Sequence, residues 1–204
     1  MIRIQSRKIT LAETCAVIVV IYILPVILLL LDVIPFSYKF HVLVVGAVCM
    51  GMYLCWRGFS FREIGFPTSG AGRSLRDVLP LTIVMVLLII GFSIFGSISR
   101  IPNERWPFFI FYIVISSPAQ EFLFRASLYR IFQTVRLGEI AQTIASALLY
   151  SFIHIIYRDP WTLVITFCVG IVWFRLYAKS QHLLGVSLSH ALLGVLTIMT
   201  GIVD

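Results

Sequence analysis

Seven stretches of about twenty mostly apolar residues divide this chain, and no other feature limits its fold so severely. A hydrocarbon core of roughly 30 Å takes about 20 residues of helix to cross. Inside that core every backbone N–H and C=O must be satisfied, so such a run folds as a transmembrane helix. The runs fall at approximately 9–31, 40–56, 78–97, 107–130, 139–157, 161–178 and 183–202. Short connections with turn formers separate them, among them Asp32 to Pro35, Pro102-Asn103 and Asp159-Pro160. The predicted architecture is all-α, a polytopic membrane helical bundle of about seven transmembrane helices. With no internal repeat, low-complexity tract or linker, residues 1–204 read as a single integral-membrane domain.

Composition points the same way: 60% of the 204 residues are hydrophobic and only 12% are charged, against roughly 25% charged in a soluble domain. A net charge of +7 would suit a nucleic-acid partner, but the basic residues are scattered between apolar runs and form no patch. The lipid bilayer is the partner expected instead. Eleven lysines and arginines fall on one side of the spans: Arg3, Arg7, Lys8, Arg57, Arg62, Arg73, Arg76, Arg130, Arg136, Arg175 and Lys179. Lys39, Arg100, Arg105 and Arg158 fall on the other, and Arg125 lies inside a span. The positive-inside rule then puts the N-terminus in the cytoplasm and the C-terminus outside, and a bacterial plasma membrane is the expected location. The longest connection, Arg57 to Asp77, carries Phe61, Ile64 and Phe66 among arginines and reads as a short surface-lying segment. The first run is too long for a signal-peptide core. Cys15, Cys49, Cys55 and Cys168 lie in or beside apolar runs without C-x-x-C spacing, so they receive no redox or metal role.

Polar groups within the spans are few, and they cluster. Ser116 to Arg130 places Gln120, Glu121 and Arg125 in an apolar helix, where a charged side chain at the bilayer centre costs about 2.5–3.5 kcal/mol on insertion scales. Glu121 and Arg125 are four residues apart with the acid first, so they can pair on one helical face. His154 lies in the fifth span and His190 in the seventh. Taking the hairpin turn at Leu137-Gly138, Glu121 precedes it and His154 follows it by equal lengths of chain, each roughly 24 Å of helix. The two are therefore expected at one depth, in the cytoplasmic half of the bilayer. Ser187, His190 and Gly194 share a face of the last span, where small residues also serve close helix packing. One carboxylate and two imidazoles facing a dry cavity suit hydrolysis, holding and deprotonating water while a donor receives an oxyanion. Glu121, His154 and His190 are equally a candidate ligand set for zinc with an open fourth position. The residues alone leave a metal-dependent and a metal-free mechanism on equal footing, and no H-E-x-x-H spacing separates them.

Three motifs in order resemble the CAAX prenyl protease and bacteriocin-processing family of intramembrane proteases (the CPBP or Abi family). Gln120-Glu121-Phe-Leu-Phe-Arg125 is similar to its Glu-Glu-x-x-x-Arg motif, Tyr150-Ser-Phe-Ile-His154 to Phe-x-x-x-His, and His190-Ala-Leu-Leu-Gly194 to a third motif opening on histidine. Phe61-Arg-Glu-Ile-Gly-Phe66 is similar to a stretch such proteins carry before the core. The resemblance spans residues 57–204, with the motif core at 107–202. It implies an intramembrane endopeptidase that cuts a membrane-associated peptide or protein with Glu/His-activated water. Under it Glu121 and His154 activate water, His190 stabilises the oxyanion, Gln120 positions water or substrate, and Arg125, Tyr150 and Gly194 support them. The chain departs from the pattern at Gln120, whose neutral amide cannot take a proton, and at Gly194, which offers no side-chain donor where the family's third motif carries asparagine or another residue. Those two positions motivate the alternative, a catalytically inactive relative acting as a membrane adaptor or bacteriocin-immunity-type binding protein. A small transporter would also carry intramembrane charge, but the absence of a repeat and of paired broken helices speaks against it.

Overall fold

A computed structural model describes residues 9–95 and 104–202. Arg3, Arg7, Lys8, Arg100 and Pro102-Asn103, used above for orientation and for a turn, lie outside them. Among the described residues, seven helices are long and apolar enough to cross a membrane: α1 Leu11–Leu30, α2 Phe36–Trp56, α3 Ala71–Phe95, α4 Trp106–Thr134, α5 Glu139–Tyr157, α6 Pro160–Ser180 and α7 Leu183–Thr200. No strand occurs among the described residues. This is an integral-membrane helical bundle.

Local chemistry sets the ends of these helices. Thr10 and Glu13 form a reciprocal capping box that starts α1. Asp159 caps α6, accepting from the N–H groups of Trp161 and Thr162 with Pro160 at the first helical position. The Thr162 hydroxyl and those N–H groups hold the Asp159 carboxyl below its usual range. The last helix, α7, ends at Gly201, whose φ of +68° favours glycine.

Two expectations change. The third helix starts at Ala71 rather than near residue 78, since Arg73, Arg76 and Asp77 continue the same helix. The segment before it is a series of turns rather than a surface-lying piece throughout. Phe61 and Phe66 are exposed, but Ile64 is buried in the core, and Leu183 N–H bonds Gly65 O at 3.0 Å, tying the segment to the start of α7.

Burial identifies the centre of the bundle. The buried share is 44% in α4 and in α7 but 11% in α2, so these two helices carry the interior. They approach their neighbours through small polar residues. The Ser74 hydroxyl of α3 donates to His182 O at 2.9 Å and accepts the Gly185 N–H of α7 at 3.1 Å. A Cβ at residue 185 would stand 2.6 Å from the Ser74 carbonyl carbon, so glycine is what lets α3 and α7 meet. Ser189 links α3 and α6 to α7 through Thr82 at 2.7 Å and Trp173 Nε1 at 3.2 Å.

The fourth helix is not a regular α-helix. It widens into π-helical turns at Tyr112–Ser116 and Phe122–Ser127, on either side of Ser117–Glu121. Such turns give up the usual i to i+4 bonding and often mark functional sites. Side chains take up carbonyls of the second one: Tyr22 of α1 donates to Leu123 O at 2.9 Å, and Ser146 of α5 donates to Phe124 O at 2.5 Å. Buried hydroxyls from two neighbours thereby brace the turn that presents Glu121.

Candidate active site

Glu121 is fully buried and sits near the middle of α4. Both of its oxygens have partners. Oε1 accepts from His190 Nδ1 at 2.8 Å, and Oε2 lies 3.1 Å from Arg125 Nε. The second contact is an ion pair without hydrogen-bond geometry. Arg125 is also fully buried, and its guanidinium lies over the Tyr150 ring at 4.2 Å and the Trp173 ring at 5.5 Å. A carboxylate on one side and two aromatic faces on the other compensate the buried cation.

The two histidines are held alike. A carbonyl oxygen can only accept, so His154 Nδ1 donates to Tyr150 O, at 2.8 Å. His190 Nδ1 donates to the Glu121 carboxylate, and Trp173 stacks on the ring with centroids 4.9 Å apart. Each imidazole is thereby fixed at Nδ1, which leaves a lone pair on Nε2 in the neutral ring. Tyr150 stands between them. Its ring is 4.9 Å from His154 and 5.9 Å from His190, and its hydroxyl is 3.5 Å from His190 Nε2, a long contact. Glu121 and His154 thus belong to one cluster, joined through His190 and Tyr150.

A mostly apolar cavity of about 590 Å³ borders this cluster, and Gln120, Tyr150, His154, His190 and Gly194 line it. Glu121 contributes from behind the wall through His190. Gln120 Nε2 donates to Ser116 Oγ at 3.2 Å, one turn earlier on α4. Lys39 also borders the cavity, its ammonium 3.9 Å above the Phe36 ring.

Sequence reading missed Tyr112, which lines the cavity and meets the His190 ring edge-on at 6.1 Å. The signal was there: Tyr112, Ser116 and Gln120 recur every fourth residue and so share a face of α4. It also missed Trp173, whose helix shows no polar periodicity pointing inward.

Zinc takes three protein ligands and an open position at a catalytic site. Here the Glu121 oxygens are engaged by His190 and Arg125. Among the described residues no group of three His, Cys, Asp or Glu side chains is placed to hold an ion. The donor set is two imidazole nitrogens, which does not fit a zinc site.

Residues 102–196 match the family model described as Type II CAAX prenyl endopeptidase Rce1-like. This stretch, just under half of the chain, is similar to that family. The match contains all three motifs, Gln120 to Arg125, Tyr150 to His154 and His190 to Gly194. It begins beyond the Phe61 to Phe66 stretch. No curated protein and no solved structure matches the chain.

Proposed function

We propose that this protein is an intramembrane endopeptidase that hydrolyses a peptide bond of a membrane-associated peptide, prenylated or not, drawn into the cavity that α4, α5 and α7 help to line. The observation that carries the reading is the Glu121–His190 hydrogen bond, set at the wall of an apolar cavity beside a second histidine. A carboxylate on one ring nitrogen fixes the tautomer and compensates the charge the ring gains on taking a proton. His190 Nε2 then removes a proton from water that His154 Nε2 helps to hold. The new hydroxide attacks the carbonyl carbon, and the imidazolium returns its proton to the departing amine. Glu121 acts on water through His190, and Arg125 holds Glu121. The role of His190 shifts from the oxyanion to the base, because a ring donating through Nδ1 offers the cavity a lone pair. Gln120, with a spare N–H, is assigned to the oxyanion.

The test is reconstitution of the purified protein in liposomes with quenched-fluorescent membrane peptides, with and without a prenyl group. Cleavage is expected, and His190→Ala and His154→Ala should each lower it about 10²–10⁴-fold, the range for general-base catalysis. Gln120 favours a second reading, a non-catalytic peptide-binding adaptor, because an amide stands at the cavity wall. If wild type and Gln120→Glu bind these peptides and leave all of them intact, the adaptor reading replaces the protease.

A further inference from the structure

Tyr112 is a polar residue in an apolar wall that the hydrolytic scheme does not yet use. Its ring meets His190 edge-on, and it shares a face of α4 with Gln120. The ring is seated against Gly194, one helical turn beyond His190 on α7. A Cβ at residue 194 would stand 2.6 Å from both Cε1 and Cζ of Tyr112 and would strike the hydroxyl itself. No side chain fits there, so glycine is the residue that lets the hydroxyl reach this part of the cavity wall.

Close helix packing alone would explain a small residue at 194, but it does not explain the hydroxyl. Phenylalanine would fill the same space without the cost of taking an O–H out of water. The ring is wedged against Gly194 and edge-on to His190, which fixes where its hydroxyl sits at the cavity wall.

We infer that Tyr112 is a catalytic hydrogen-bond donor: its hydroxyl and the Gln120 amide N–H together receive the oxyanion that forms when His190-activated water attacks the peptide carbonyl. This rests on the proposed hydrolysis. The step adds no covalent change. Hydroxide bonds to the carbonyl carbon, the C=O π electrons move to oxygen, and Tyr112 keeps its proton while donating to that oxygen. Base and donor meet the same face of α7 one helical turn apart, at His190 and at Gly194, and both border the cavity that would hold the peptide carbonyl.

The experiment uses the reconstituted full chain and the peptide that it cleaves best. Loss of one oxyanion donor typically lowers kcat about 10²–10³-fold. Tyr112→Phe should therefore lower kcat about 100-fold with KM unchanged. It should weaken binding of the same peptide carrying a phosphinic group at the scissile bond by a similar factor, and leave binding of the uncleaved peptide unaltered. Gly194→Ala, which displaces the ring, should reproduce the kcat loss. Wild-type kcat in Tyr112→Phe overturns the inference, as does an equal loss of affinity for both peptides, which a packing role would give. A wild type that cleaves nothing sinks the hydrolytic reading itself, and with it this one.

Discussion

The Glu121–Arg125 pair shows how a single residue is held in place here by its neighbours. Both side chains are fully buried, and among the described residues each other, His190 and two aromatic rings compensate them. Removing one partner of a buried pair costs about 3–5 kcal/mol because the other charge is stranded. Arg125→Met should destabilise the protein by about that much, whereas Arg125→Met combined with Glu121→Gln should recover part of the loss. Reversible unfolding in mixed micelles, arranged as a double-mutant cycle, measures the coupling. Additive losses would mean that the pair is not an energetic unit. With two imidazole nitrogens as the donor set, cleavage should survive prolonged dialysis against a chelator, and loss of rate restored by added zinc would contradict this.

At the scale of elements, two helices carry the site and small residues set their spacing. Gly185 lies where α7 crosses Ser74 of α3, and a Cβ there would stand 2.5 Å from the Ser74 hydroxyl oxygen. Gly185→Ala should cost about 1–3 kcal/mol by overpacking and lower cleavage only as far as unfolding does. A variant as stable as wild type would show that α3 can retreat freely. The π turns of α4 have a comparable effect. Ser146→Ala removes the hydroxyl that takes Phe124 O, leaving a buried carbonyl unsatisfied at a cost of about 1–3 kcal/mol. Thermal unfolding in detergent checks it, and an unchanged transition would mean that the carbonyl finds another donor.

For the whole molecule, the seven spans place Arg136 and Arg158 at opposite ends of α5. We propose that the Arg136 end faces the cytoplasm, since it also gathers Arg57, Arg62, Arg73, Arg76, Arg130, Arg175 and Lys179. Within that end Arg57 pairs with Glu13 at 2.9 Å and Lys179 with Asp77 at 3.0 Å, so acids from α1 and α3 partly offset the excess. Cysteines introduced as Arg158→Cys should react with an impermeant maleimide added to intact cells, and those introduced as Arg136→Cys should react only after permeabilisation. Equal labelling from outside would overturn the topology.

The sequence by itself determined the number and near-limits of the spans, because a bilayer leaves a long apolar segment no choice but helix and hydropathy depends on composition alone. It also marked Gln120, Glu121, Arg125, His154 and His190, since polar groups are scarce and costly in such segments. Tertiary structure decided who partners whom. Glu121 and His154 fall in one cluster through Tyr150 and His190, yet the carboxylate bonds His190, from a helix more than sixty residues away in the chain. Rotation about a helix axis made the difference, and it depends on the π turns of α4 and on glycines at helix crossings, neither of which a 3.6-residue period reveals. The place Gly194 leaves open looked from the chain alone like a missing side chain. The fold fills it with the hydroxyl of Tyr112, reaching across from another helix.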